Sequence, residues 1–192
     1  MSSTIKAIIF DCFGVLRPDV IREVYERMGG DTKLDDVFIS DTLYHSHMGR
    51  IPSSAPVFAE RLGVSTEDWI KEVNADPNDQ ELLDYILSLR KKYKVGVLSN
   101  MGSGGLLRYF TAEELGKYFH ATAVSGEIGF AKPQAVAYET IAGHLGVRLD
   151  ECVFVDDREL YCEGARAVGM HAMLYKNLAQ FRKDLEKLLS QS

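Results

Sequence analysis

The sequence predicts an α/β protein, a doubly wound parallel sheet interrupted near its start by a small helical bundle. Three observations carry this. Short apolar β-runs alternate with amphipathic helical stretches along most of the chain. Three of those runs stop at small polar or acidic residues, as buried parallel strands do when they deliver side chains to the carboxyl edge of a sheet. Between about Asp19 and Asn74 the β-pattern disappears and only helical periodicity remains.

The elements follow in order. Lys6-Ala7-Ile8-Ile9-Phe10 is apolar and β-leaning until it halts at Asp11, with Gly14 three residues on, so it reads as a strand carrying one acid to the sheet edge. Helical pieces then bring together Val20, Val24, Tyr25 and Met28; Val37, Phe38, Leu43 and Tyr44; Val57, Phe58 and Leu62; and Trp69, Ile70 and Val73. Breaks fall at Gly29-Gly30, from Gly49 to Pro52 and from Leu62 to Ser65, where Ser65 is a fair N-cap. We expect residues 16–77 to form an inserted bundle over the site, and 1–15 with 78–192 to form the core. A helix carrying Leu82, Leu83, Ile86, Leu87 and Leu89 leads to a second strand, Lys94 to Asn100. A short strand is expected near Ala121 to Val124 and a helix from about Gln134 to Leu145, with Pro133 at its first turn fixing Lys132. Cys152 to Asp157 is a third apolar strand, ending in two acids. A helix over Arg158 to Val168, a strand from Met170 to Leu174 and a C-terminal amphipathic helix finish the chain, with right-handed crossovers throughout.

Composition narrows the function. The chain has 192 residues, 46% of them hydrophobic, enough for one good core and a small subsidiary module. A net charge of -6 with scattered basic residues disfavours a nucleic-acid partner. No apolar run approaches the ~20 residues of a membrane span, and no signal-peptide pattern opens the chain, so a cytoplasmic protein is expected. Cys12, Cys152 and Cys162 form no C-x-x-C pair, which argues against disulfides and a zinc site.

The chemistry lies at the strand ends. Asp11, Ser99-Asn100 and Asp156-Asp157 should share one edge, joined by Lys132. Converging carboxylates need a cation, and hard oxygen ligands suit Mg²⁺. With that charge absorbed, one carboxylate can attack an electrophile that is itself anionic, while Ser99 and Lys132 hold its oxygens. Phosphoryl transfer through an aspartyl-phosphate, on a small phosphorylated molecule, uses all of these parts.

Asp11 to Val15, Val97-Leu98-Ser99-Asn100, Lys132-Pro133, and Phe154-Val155-Asp156-Asp157 followed by Gly164-Ala165 and Gly169-Met170 resemble the four ordered motifs of the haloacid dehalogenase (HAD) superfamily. The helical insertion resembles the cap of its subfamily I. The resemblance implies a Rossmann-like, three-layer α/β/α core with Asp11 as covalent nucleophile. It also implies Mg²⁺ held by Asp11, the backbone carbonyl of Phe13, Asp157 and Asp156. Ser99 and Lys132 would grip the phosphate, with Asn100, Cys12 and Phe13 alongside.

Two positions depart from that pattern. Phe13 stands where the family's phosphatases carry a second aspartate that protonates the leaving group and then activates water. Such catalysis is typically worth ~10²–10⁴-fold. We therefore expect a slow phosphatase, one restricted to good leaving groups, or one whose substrate or cap supplies the proton. Tyr161 stands where relatives have an Asp or Asn supporting the metal shell. A 2-haloacid dehalogenase, whose family members carry an aromatic residue at the Phe13 position, is one alternative, although Asp156-Asp157 favours the metal-dependent branch. A binding protein that has lost efficient chemistry is another. In the insertion, His45 and His47 should point to different sides of a helix as surface or helix-end residues, and either of them, or Arg50, could reach the substrate. Arg158 is expected to pair with the neighbouring acids, and Phe13 to pack against the insertion.

Overall fold

A computed structural model describes residues 4–190. Its elements run β1 (Ala7–Phe10), α1 (Ile21–Arg27), α2 (Asp36–His47), α3 (Ala55–Leu62), α4 (Thr66–Val73), α5 (Gln80–Leu89), β2 (Lys94–Ser99), α6 (Ala112–Tyr118), β3 (Ala121–Val124) and α7 (Ser125–Ile128). There follow α8 (Ala135–Leu145), β4 (Cys152–Asp156), α9 (Glu159–Ala167), β5 (His171–Leu174) and α10 (Leu178–Leu189). The five strands form one parallel sheet in the order β3-β2-β1-β4-β5.

The apolar runs are unbroken because both sheet faces are covered. Ile8 and Phe10 of β1 join α5 and α10 in one core cluster, through Leu82, Ile86, Phe181 and Leu185. Ala7 and Ile9 face the other way, into a cluster built with Ala137 and Ile141 of α8 and Ala165 of α9. Each large apolar side chain removed from water in this way contributes roughly 1.5–3 kcal/mol. Phe10 lies in register with Val97 on one side and Val155 on the other. Asp11 and Asp156 therefore stand side by side, one step beyond, where the strand order reverses and open α/β sheets bind ligands.

Helices α1 to α4 carry a cluster of their own around Tyr25, Phe58 and Trp69, whose ring centroids lie 5.1–6.3 Å apart. Ser65 caps α4, accepting from the Asp68 amide at 3.0 Å. The chain leaves and re-enters the sheet region at one point, where the Asp79 amide donates to the Leu16 carbonyl at 2.8 Å. There the buried Arg17 donates to the carbonyls of Val73 and Asp76, each at 3.2 Å, and lies 3.8 Å over the Tyr109 ring.

Two local expectations fail. Pro133 does not open α8: the Lys132–Pro133 peptide is cis, Gln134 occupies the N-cap position and the helix begins at Ala135. The segment between β2 and β3 holds a 3₁₀ turn (Gly105–Arg108) and α6, neither of which the hydrophobic pattern had signalled. Helix α6 did have a signature: Thr111 and Glu114 form a complete capping box.

Candidate active site

Asp11 leaves β1 with its amide still bonded to the Val155 carbonyl at 2.9 Å, so it is held as though the strand continued. Its buried carboxylate accepts from Lys132 Nζ at 2.8 Å, and the same ammonium reaches Asp156 Oδ2 at 2.7 Å. Asn100, at the end of β2, positions that lysine. Its Oδ1 accepts from the Lys132 amide at 2.8 Å while its Nδ2 donates to the Lys132 carbonyl at 3.0 Å. The Asn100 side chain is thus committed to the lysine backbone. It sets where the cation stands.

Asp157 completes an acidic group in which carboxylate oxygens of Asp11, Asp156 and Asp157 all lie within 4.8 Å of one another. Gly14 makes room for it. A Cβ at Gly14 would lie 2.3 Å from the Asp157 carboxyl carbon, and the residue's φ of +78° is one that side-chain-bearing residues rarely adopt. Asp156 also accepts from the Arg158 amide at 2.9 Å.

Burial dominates the electrostatics. It pushes Asp11 up to about 6 despite the opposing Lys132 charge, and it raises Asp156 for the same reason. Burial and repulsion from Asp11 raise Asp157. Burial works against the charge of Lys132 as well, but Asp11 and Asp156 outweigh it and hold the ammonium above the ordinary lysine value. Three hard carboxylates around a common centre, each costly to ionise while alone, are the donor set a small divalent cation such as Mg²⁺ requires. At the end of β2 the Ser99 hydroxyl is buried with no hydrogen-bond partner among the described residues, and Ser99 lines neither of the cavities described next.

A cavity of about 130 Å³ opens on this group, walled by Asp11, Phe13, Leu43, His47, Tyr109 and Lys132 among others. A wider one of about 770 Å³ shares Leu43, His47, Lys132 and Tyr161 with it and lies between the helical unit and the sheet edge. The remaining expected residues fall as follows. Cys12 is wholly buried, its thiol driven up by burial and by Asp11, so its side chain packs and does not face the cavity. Phe13 lines the cavity, but its ring meets Tyr109 of the loop after β2 edge-on at 5.5 Å, so its aromatic partner is not in the helical unit. Arg158 forms no ion pair with the acids among the described residues; its guanidinium stacks 4.7 Å over Tyr161 and donates to that hydroxyl at 3.2 Å. Tyr161 also lies 4.8 Å from Lys132 Nζ, presenting its ring to the cation in place of a carboxylate. Arg50 is exposed and sits over the Tyr44 ring, outside both cavities. His45 is exposed whereas His47 turns inward. Arg17, Arg108 and Tyr109 were not singled out by pattern, because a lone arginine or tyrosine in a short turn carries no periodic signal.

Residues 5–169 match the family model of the haloacid dehalogenase-like hydrolases. The chain belongs to this family. Among relatives of this HAD-like hydrolase, a phosphatase of Mycobacterium tuberculosis is 29% identical over 210 aligned positions, spanning 97% of this chain and 94% of the relative. The D-ribitol-5-phosphate phosphatase of Bacteroides thetaiotaomicron is 27% identical, with 97% and 99% covered. A solved structure of a HAD-family enzyme from the same Bacteroides species, in complex with magnesium and inorganic phosphate, superposes with a TM-score of 0.72 at 25% identity, covering 90% of this chain and 94% of that one.

Proposed function

We propose that this HAD-like hydrolase is a Mg²⁺-dependent phosphatase of a small phosphorylated metabolite, working through an aspartyl-phosphate at Asp11. The observation that carries the reading is the convergence of three carboxylates and one buried lysine. The phosphatase names of relatives aligned over nearly the whole chain, and the magnesium and phosphate held by a Bacteroides homologue, point the same way.

In this reading Asp11, Asp156, Asp157 and the Phe13 carbonyl hold Mg²⁺, which neutralises charge on the phosphoryl group when bound. The Ser99 hydroxyl and Lys132 ammonium bind the phosphoryl oxygens, and Asn100 keeps the lysine in place. The Asp11 carboxylate attacks phosphorus; a P–O bond to Asp11 forms, the bond to the leaving oxygen breaks, and that oxygen takes up a proton. Water then attacks phosphorus, the Asp11–P bond breaks, and the water's proton passes to a base. Helices α1 to α4, residues 16–77, act as the cap, closing the cavity and excluding solvent.

The test is phosphate release from a panel of phosphorylated metabolites and para-nitrophenyl phosphate, with Mg²⁺ and with chelator, beside Asp11→Asn. Release that requires both Mg²⁺ and Asp11 is expected. Release of halide from 2-haloacids without metal, and no phosphate release, would replace this reading with a dehalogenase.

A further inference from the structure

With phenylalanine at position 13, the loop after β1 offers the leaving oxygen no proton donor. His47, the last residue of α2, is placed to offer one. It lines the inner cavity together with Asp11 and Phe13, and the outer one together with Lys132 and Asp157. Among the described residues none is hydrogen-bonded to its imidazole, so both ring nitrogens are available to a ligand. Its place is fixed from behind: its neighbour Ser46 is buried against the loop at Gly102, and the turn that follows brings Gly49 onto the Gly126 carbonyl. Other side chains of the inner cavity are poorer candidates. The Tyr161 hydroxyl accepts from Arg158 and its ring faces Lys132, the Tyr109 hydroxyl is raised above its ordinary value by burial, and arginine does not give up its proton. Asp19 lines the same cavity and is exposed.

On the phosphatase reading above, we propose that His47 is the acid–base catalyst of this enzyme, supplied by the helical unit in place of the residue that position 13 lacks. As the Asp11–P bond forms and the P–O bond to the leaving group breaks, the imidazolium gives its proton to the departing oxygen, producing an alcohol and neutral imidazole. In the second step the imidazole takes a proton from water as that oxygen bonds to phosphorus and the Asp11–P bond breaks. Phosphate and imidazolium are regenerated, and every proton is accounted for.

The surrounding charges fit this cycle. Lys132, Arg158, Arg108 and Arg22 are the cations lining the cavities with His47, and Asp11, Asp19 and Asp157 the anions. Burial and then the Lys132 and Arg158 charges hold the imidazole down to about 4 in the free protein. A phosphate dianion seated on Lys132 brings two negative charges beside the ring and favours proton uptake as substrate binds. A proton that enters with the substrate is the one the leaving group needs.

The experiment compares kcat/KM on glycerol phosphate, a poor leaving group, and on para-nitrophenyl phosphate, a good one, both with Mg²⁺. Wild type, His47→Asn, His47→Ala, Asp19→Asn and His45→Asn are run alongside thermal melts. His47→Asn should lose about 100-fold or more on the alkyl ester and less than about tenfold on the aryl ester. Added imidazole should restore alkyl turnover to His47→Ala, and His45→Asn should match wild type. An equal loss on both esters, no loss, or transfer of the leaving-group pattern to Asp19→Asn overturns the assignment to His47 while leaving the phosphatase reading intact. A folded wild type that releases no phosphate from either ester overturns both.

Discussion

Lys132 is the residue on which the site's resting state turns. It is a buried cation shared by two buried carboxylates, and removing one partner of such a set typically costs 3–5 kcal/mol because the other charges are left uncompensated. Asp11 bears a related cost. Its carboxyl rises from 3.8 to about 6 on folding, so its contribution to stability is complete below about pH 3.8 and is lost as pH climbs through 6. A divalent ion binds the ionised carboxylates, so Mg²⁺ should raise the melting temperature more at pH 8 than at pH 5. A Mg²⁺ shift independent of pH would mean that the ion does not bind at these groups. At this scale the sequence was legible wherever a residue ended a strand: Asp11, Ser99, Asp156 and Asp157 stand where the apolar runs implied. It was illegible for Asn100 and Arg158, whose partners depend on loop geometry that no periodicity encodes.

Among the elements, the junction between the helical unit and the sheet rests on one side chain. Arg17 satisfies the carbonyls of Val73, the last residue of α4, and Asp76, and covers the face of Tyr109, which in turn packs on Phe13. A methionine at position 17 would keep the stem but leave the buried Val73 carbonyl and the part-buried Asp76 carbonyl without their donor, at a cost of about 1–3 kcal/mol. Arg17→Met should lower the urea midpoint accordingly, and Arg17→Lys should recover less than half of the loss, since an ammonium lacks the planar face that stacks on the Tyr109 ring. Full recovery by lysine would show that charge alone holds the junction. The strands and long helices were readable to within a residue or two, because each buries one or two faces with a fixed period. The 3₁₀ turn and α6 were not, since the turn is only four residues long and α6 only seven, burying Tyr118 with Leu115 packed beside it, too short for a period to show.

Over the whole molecule, the helical unit meets the sheet edge through backbone brought close by small residues. A Cβ at Gly49 would lie 2.7 Å from the Gly126 carbonyl, and one at Gly102 would lie 3.0 Å from Ser46 Oγ. Gly49→Ala should therefore lift the end of α2, and His47 with it, lowering kcat/KM by up to about 100-fold with little change in circular dichroism. Activity equal to wild type would mean that this seating does not matter to catalysis. The lysine shared between Asp11 and Asp156 also has a consequence for ion choice. Within this cluster three carboxylates and one ammonium sum to two negative charges, the charge that a single divalent ion cancels. Without that lysine the same three acids would carry a charge that no single divalent ion cancels.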